Sequence, residues 1–328
     1  MANRVIIVGA NRRGEQIPIG ELFQMVGRAG RGHEQGSCYA DLVVEECDSE
    51  YVEDNLDSKA ELNVQSVLDN ADLLAFHVMS EICRETVFDE ETFENWFARS
   101  FHAFSGGKVK WDKVVKALHE AHAVRVSDGV VKATPIGEIA ASYYFYPADV
   151  EAWRGNFSTI FDLGVENDDV AVAWALGNVE FNRRSGDFGN RYEVMEECRN
   201  RLPSGLEMQK GCLVTTTLWW YVFGGPPVGK MRNQAIGLRE DLGRIHRVLV
   251  ELDKREAKWN MEDFFNELLF RSRRAIPAEL SSLFRVPGMT KGKAVALHEM
   301  GITTPKELAR AKTTMDLEEV LGEGCEIS

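Results

Sequence analysis

Two arginines, spaced three residues apart, stand beside two glycines in the stretch Q-M-V-G-R-A-G-R, residues 24–31. Arg28 and Arg31 carry permanent charges, and each guanidinium presents a planar fork of donors that fits phosphate oxygens. Gly27 and Gly30 lack a side chain, so a ligand or another backbone can approach them closely. This pattern favours a clamp on a phosphoryl group in transfer. The alternative interpretation is a basic helix end that only complements the helix dipole.

A strand, a helix and a second strand are the elements that would position this stretch. Residues 5–8 form a short apolar, β-branched run that predicts a buried parallel strand, and residues 37–45 predict another. Pro18 suits the first turn of the intervening helix, and the polar residues 11–16 predict a loop. Two strands and one helix cannot cover both faces of a sheet, so we expect them to need a partner surface.

This arrangement resembles the motif VI region of ratchet-type superfamily-2 helicases, the branch of the archaeal repair helicases and of the helicase half of polymerase theta. In that family the motif VI arginines reach the γ-phosphate of ATP across the cleft between two RecA-like domains. The resemblance implies that Arg28 and Arg31 are catalytic and contact the nucleotide, with Gln24 and Gly27 beside them. The family also carries a strand-separating hairpin before motif VI, and the corresponding segment, residues 10–17, is a few residues shorter here.

The sequence contains no Walker A motif, G-x-x-x-x-G-K-[ST]. We therefore expect the chain to be the C-terminal part of a helicase and inactive as an ATPase alone. ATP and Mg²⁺ would bind only with the missing helicase half, and this chain alone would bind neither. The missing N-terminal RecA-like domains, or a partner chain that supplies them, are accordingly expected partners.

A helical region with a β-hairpin follows an acidic stretch, residues 45–57, that predicts a solvated link. The aromatic residues Phe93, Trp96 and Phe97 occur at helical spacing and predict core packing. Residues 123–133 contain Asp-Gly between apolar runs, which predicts a hairpin. Helices followed by a hairpin predict a winged-helix module, and the same module occurs in the resembled helicases.

A long helix over residues 231–256 has one apolar stripe and one cationic face. At about 100° per residue, Arg232, Arg239 and His246 share a face on which small residues leave room for a single strand. In the resembled family this is the ratchet helix, which engages bases through an arginine and an aromatic residue. His246 stands where the family often has tryptophan, and Arg247 is the alternative aligned position. The other interpretation is a solvated basic face.

The run V-P-G-M-T-K-G-K-A, residues 286–294, has the length and placement of a helix-hairpin-helix turn. Such a turn presents backbone N–H groups to a phosphate. Gly288, Lys291 and Lys293 are the candidate DNA-binding residues here. Thr290 stands where the family usually has a second glycine, and the alternative is a helical hairpin used for packing.

The charge of the chain is unevenly distributed. The net charge is −14, yet residues 226–312 hold 17 Lys and Arg against 11 Asp and Glu, whereas the rest of the chain holds 21 against 41. A local basic face, rather than the total, decides phosphate binding. Single-stranded or forked DNA is therefore the expected partner, although contacts to the backbone do not distinguish DNA from RNA.

The composition excludes several other classes of protein. No apolar run approaches the ~20 residues of a membrane span, and the N-terminus lacks the pattern of a secretory signal. The six cysteines are scattered without a C-x-x-C spacing, which predicts neither a metal site nor disulfides. We expect an intracellular protein, cytoplasmic or, in a eukaryote, nuclear.

The predicted fold class is mainly α with a small α/β part. The predicted domains are a fragment of the second RecA-like domain (1–54), a winged helix (55–146), a helical ratchet domain (147–276) and a helix-hairpin-helix (277–320). Two further functions stay open: a stand-alone, non-enzymatic module that binds single-stranded DNA, and a protein-interaction scaffold in which these motifs are relics.

Overall fold

Two parallel strands, a minimal antiparallel strand pair and two helices make up the described N-terminal part of the computed structural model. The structure describes residues 4–12, 15–29, 38–57, 66, 68, 70–179, 192–208, 212–223, 231–314, 317 and 320. It divides into two compact units, residues 1–66 and 67–328. The described part is mainly helical with a small α/β part, so the predicted fold class is confirmed.

In the N-terminal unit, β1 (Arg4–Val8) pairs in parallel with β4 (Tyr39–Val43), and helix α1 (Ile19–Val26) lies between them in sequence. The prediction of a loop over residues 11–16 was wrong. Strands β2 (Asn11–Arg12) and β3 (Glu15–Gln16) form a minimal antiparallel hairpin there. Two residue pairs are too few for periodicity to reveal a strand.

The acidic stretch after β4 is a helix, α2 (Glu46–Asp57), so the prediction of a solvated link was also wrong. Val52 is buried in the core of the unit, and the Tyr51 hydroxyl donates a hydrogen bond to the Ile17 carbonyl at 3.0 Å. Asp48 is buried and accepts a hydrogen bond from the Asn11 side-chain amide. Acidic residues in the first turn favour a helix through its dipole, and a few apolar residues are enough to dock it.

The core of this unit lies on one face of its sheet. Ile7 and Leu22 are buried in that core, together with the apolar part of α2. The opposite face is uncovered by any described residue of the unit, although four large apolar side chains lie on it. These side chains are 55–79% exposed: Ile6, Val8, Tyr39 and Val43.

The second unit begins with helices α3 (Ala71–Cys83), α4 (Glu90–Phe97), α5 (Phe101–Phe104) and α6 (Trp111–Glu120), followed by β5 (Val124–Ser127) and β6 (Val130–Ala133). The predicted hairpin is confirmed: β5 and β6 are antiparallel, and both turn residues have positive φ, 53° at Asp128 and 80° at Gly129. This is the geometry that Asp-Gly favours in a two-residue turn. Phe93 and Phe97 are buried, as expected of core residues.

The largest helical core follows this hairpin. Its described helices are α7 (Pro135–Tyr143), α8 (Pro147–Asp162), α9 (Asp169–Gly177), α10 (Tyr192–Asn200), α11 (Cys212–Thr217), α12 (Met231–Leu252) and α13 (Glu262–Arg274). Two π-helical turns, Leu218–Val222 and Asp253–Ala257, occur in the same region. Trp153, Phe157 and Phe265 have no exposed surface and lie at its centre.

A smaller helical segment ends the described chain. It consists of α14 (Ala278–Ser281), a 3₁₀ turn (Leu283–Arg285), α15 (Lys291–Glu299) and α16 (Pro305–Thr314). It has its own apolar cluster around Leu283, Leu297 and Leu308. None of the described helices combines the length and the apolar character that a membrane span requires.

Candidate nucleotide and nucleic-acid contact sites

The end of α1 carries the residues predicted to contact a nucleotide. Gln24 lies exposed in the last turn, and Gly27 ends the helix by donating its N–H to the Phe23 carbonyl at 2.8 Å. Arg28 follows in the turn, exposed, and its guanidinium has no hydrogen-bond or ion-pair partner among the described residues. Gly30 and Arg31 lie outside the described residues. The position of Arg28 fits both interpretations, a phosphate contact and a charge that complements the helix dipole.

Helix α12 positions the next group of candidates, and here the neighbouring helix changes the expectation. Arg239 donates a hydrogen bond to the backbone carbonyl of Arg273, the penultimate residue of α13. The Nε2 atom of His246 lies 3.2 Å from Oδ1 of Asn266, also on α13. The face of α12 that was predicted to be open to single-stranded DNA is therefore partly occupied by α13. The periodicity of α12 defines its faces but not the element that packs on each of them.

The chemistry of His246 follows from this packing. Burial lowers the pKa of His246 below its ordinary value, and the positive charges of Arg273 and Arg247 lower it further. The hydrogen bond with Asn266 opposes this shift only in part. The ring is therefore neutral at pH 7 and half-buried, so it offers a base little surface for stacking.

Arg239, Arg247 and Arg273 are exposed arginines of α12 and α13, and we call them the α12–α13 basic patch. Arg239 adjoins Arg273 through its hydrogen bond, while Arg247 and Arg273 both lie close enough to influence the charge of His246. Sequence reasoning proposed Arg239 and Arg247 but missed Arg273. The available signal was the basic last turn of α13, which contains three arginines.

Two other arginines of α12 differ from the patch. The backbone of Arg232 belongs to α12, but its side chain lies outside the described part of the structure. Arg244 is already engaged, because it donates to Asp241 at 3.0 Å and its Cζ lies 4.6 Å from the centre of the Phe145 ring.

The predicted hairpin turn lies between the 3₁₀ turn and α15. Gly288 is exposed with φ of +72°, as a tight turn requires. Thr290 caps α15 by accepting a hydrogen bond from the Lys293 N–H at 3.4 Å, so one N–H that could face a phosphate is already used. Lys291 donates to the Ala275 carbonyl at 3.2 Å, and burial lowers its pKa.

A buried ion pair joins three elements near this turn, and sequence reasoning did not find it. Arg271 on α13 is 3% exposed and donates to Asp169 at the start of α9. The other carboxylate oxygen of Asp169 accepts a hydrogen bond from the N–H of Ala278, the first residue of α14, at 3.0 Å. Burial raises the pKa of Asp169, while the positive charge of Arg271 opposes the shift. The pair fixes the start of the C-terminal helical segment against the larger helical core.

Comparison with known proteins agrees with the helicase resemblance that was drawn from residues 24–31. No model of a protein family matches the sequence. Over 361 aligned positions, 99% of the chain is 24% identical to "ATP-dependent DNA helicase Hel308" of Thermococcus kodakarensis. The chain spans 31% of the length of that relative. The predicted resemblance to superfamily-2 helicases is therefore confirmed, and it supports a helicase-related function at the level of the family.

Proposed function

We propose that this chain is the C-terminal portion of an ATP-dependent DNA helicase. It would supply the motif VI arginines and the contacts to single-stranded or forked DNA. The nucleotide-binding half would come from RecA-like domains outside the printed sequence. The observation that carries the proposal is the similarity of nearly the whole chain to a DNA helicase.

The surroundings of Arg28 are compatible with a bound nucleotide. ATP hydrolysis, with Mg²⁺, supplies the free energy for movement along DNA. Arg28 and Arg31 would hold the γ-phosphate, with Gln24 and Gly27 beside them. An exposed guanidinium without a competing carboxylate among the described residues supports this role, because a paired arginine would first have to break its ion pair.

The uncovered face of the β1–β4 sheet supports a missing partner domain. A parallel sheet normally has helices on both faces, since its strands are connected by crossovers. Here Ile6 and Val8 are 63% and 79% exposed. In this proposal residues 1–54 complete a RecA-like domain, 55–146 form a winged helix, 147–276 the ratchet domain and 277–320 a helix-hairpin-helix.

The α12–α13 basic patch supports the DNA-binding role. Its arginines are exposed and lie together in the basic part of an acidic chain, so phosphates can approach several permanent charges at once. Lys291, Lys293 and Gly288 would add a second backbone contact. Because His246 is neutral and packed on α13, we propose that this chain holds the strand mainly through phosphates rather than by stacking on this histidine.

A reconstitution experiment tests the helicase proposal. The chain is mixed with a polypeptide that contains Walker A RecA-like domains from the same organism, and DNA-stimulated ATP hydrolysis is measured. We expect no activity from the chain alone and activity from the mixture. Arg28→Ala should lower kcat by about 10³-fold or more, the effect of losing an arginine that stabilises phosphoryl transfer. Arg28→Lys should not restore it, since lysine lacks the planar fork.

Arg125→Ala is the matched control, because Arg125 is also exposed but lies on β5. An unchanged kcat in Arg28→Ala would contradict the role of Arg28. Failure of every Walker-containing partner would contradict the larger proposal.

DNA binding by the chain alone tests the second role. Anisotropy of a labelled oligothymidine is measured from low to moderate salt. We expect Arg247→Ala, Arg273→Ala and Arg239→Ala each to weaken binding, and each lost phosphate contact should reduce the slope of log K against log salt by about 0.7. No binding at low salt would exclude this role. Binding without any reconstituted ATPase would favour the stand-alone DNA-binding module.

A further inference from the structure

The α4–α6 region carries an apolar projection that the proposed function does not use. Phe104 is 87% exposed and Phe101 is 49% exposed, and their rings stack on each other with centroids 6.4 Å apart. Phe104 has the largest exposed fraction among the large apolar side chains of the described residues. Burying a phenylalanine side chain stabilises a folded protein, so this pair forgoes a stabilisation that most such side chains obtain.

The buried side of α5 fixes the position of the two phenylalanines. Phe101 and Phe104 are three residues apart on α5, so they share a face, while His102 points to the other side and is 3% exposed. The His102 ring packs edge-on against Phe97 at 5.7 Å. A Cβ atom at Gly107 would lie 2.3 Å from the His102 ring, so only glycine accommodates the ring there. The phenylalanines are therefore presented outward by a fixed element.

Cationic side chains flank the projection in sequence. Residues 98–116 contain five Lys and Arg against one Asp, in a chain with a net charge of −14. Arg99, Lys108 and Lys110 are exposed, and none has an ion-pair partner among the described residues. An apolar centre with a charged rim is the typical anatomy of a protein–protein interface. The positive sign of these flanking side chains favours a partner with acidic residues around an apolar one.

We propose that Phe101 and Phe104, with Arg99, Lys108 and Lys110, form a docking surface for an acidic protein segment that carries apolar side chains. The two apolar rings favour a protein over a nucleic acid, because phenylalanine offers no hydrogen bond to a base edge and an apolar side chain of a protein can cover both rings together. The inference does not depend on the helicase proposal.

Binding of a synthetic peptide tests this surface on the full chain. The probe is a fluorescein-labelled 12-residue peptide in which pairs of Asp or Glu alternate with Leu or Phe. We expect Phe104→Ser to weaken its binding by about tenfold or more, given the free energy of burying one phenylalanine. Lys108→Glu with Lys110→Glu should also weaken it, and added salt should reduce binding to the unaltered chain.

Matched controls distinguish peptide binding at this surface from nonspecific binding of the peptide elsewhere on the chain. Phe88→Ser changes another partly exposed phenylalanine outside α5, and Lys306→Glu reverses a charge on α16; both should leave binding unchanged. A peptide with Ser at its apolar positions should bind weakly. Equal binding of that peptide, or unchanged binding of the Phe104→Ser chain, would overturn the proposal.

Other results would assign the surface to another occupant. If an oligothymidine bound more tightly than the peptide and Phe104→Ser abolished that binding, the surface would be assigned to nucleic acid. Concentration-dependent self-association that Phe104→Ser abolishes would assign it to a second copy of the chain.

Discussion

The N-terminal unit and the large helical core differ in how much of their apolar surface they bury themselves. In the N-terminal unit one face of the sheet is packed and the other exposes Ile6 and Val8. In the helical core, every residue of α9 from Val170 to Gly177 is buried, and Trp153 has no exposed surface. The described residues of the first region leave one face of the sheet uncovered, whereas those of the second bury a large apolar core.

This difference concerns the two proposed roles of the chain. The residue proposed to contact a nucleotide, Arg28, belongs to the incompletely packed unit. The arginines proposed to contact DNA belong to helices α12 and α13 of the well-packed core. The proposed DNA contacts therefore lie on a well-packed core, whereas Arg28 lies in a unit whose sheet has one uncovered face.

The largest effect is expected from Trp153→Ala in the helical core. Trp153 fills the centre of the core, and its indole N–H donates to the Leu176 carbonyl at 3.1 Å. Its removal should lower the free energy of unfolding by about 3–5 kcal/mol. Urea unfolding followed by circular dichroism measures this change. Phe104→Ala, which removes an exposed ring, is the control, and a similar loss in both variants would contradict the packing described.

A somewhat smaller effect is expected when the buried ion pair is broken. Asp169→Asn should cost about 3 kcal/mol, because it leaves the Arg271 charge buried without its counter-ion. The double variant Asp169→Asn with Arg271→Met should recover most of this loss, since it removes both charges. Equal unfolding midpoints for the single and double variants would show that the pair does not act as a unit.

A more local effect is expected in the N-terminal unit. Leu22→Ala removes a side chain with no exposed surface and should destabilise that unit by about 2 kcal/mol or more. Hydrogen exchange should accelerate in β1 and β4, while protection in α8 stays unchanged. Val8→Ala, on the uncovered face of the same sheet, should alter neither. Acceleration in α8 to the same extent would show that the two regions unfold together.

The smallest effect is the pH dependence contributed by His246. Its pKa is lowered in the folded protein, so the unfolded chain binds the proton more tightly. The contribution of a neutral His246 to stability is present above the unfolded pKa of about 6.5 and is lost as the pH falls below it. His246→Gln keeps a polar partner for Asn266. As the pH falls from 7 to 5, the midpoint of urea unfolding should decline less in this variant than in the unaltered chain. An identical decline in both proteins would exclude His246 as a source.

The sequence predicts local backbone conformation where a few neighbouring residues decide it. The Asp-Gly turn between β5 and β6 is an example, because both residues tolerate positive φ. Helix α2 was missed, because its acidic composition outweighed the contribution of Val52, which becomes an anchor only once α1 lies beside it. The hairpin of β2 and β3 was missed because two pairs leave no period to detect.

The candidate sites divide in the same way. The sequence by itself proposed Arg28 through the short motif around it and Arg239 through the 3.6-residue period of α12, because these relations are local. Arg247 was proposed as the alternative aligned position in the resembled ratchet helix. Only the tertiary structure decided that α13 lies against Arg239 and His246, and that Arg271 pairs with Asp169 across 102 residues of sequence. Periodicity determines which side chains share a face. The neighbour that covers the face is decided by packing between elements distant in the chain, and no local pattern records it.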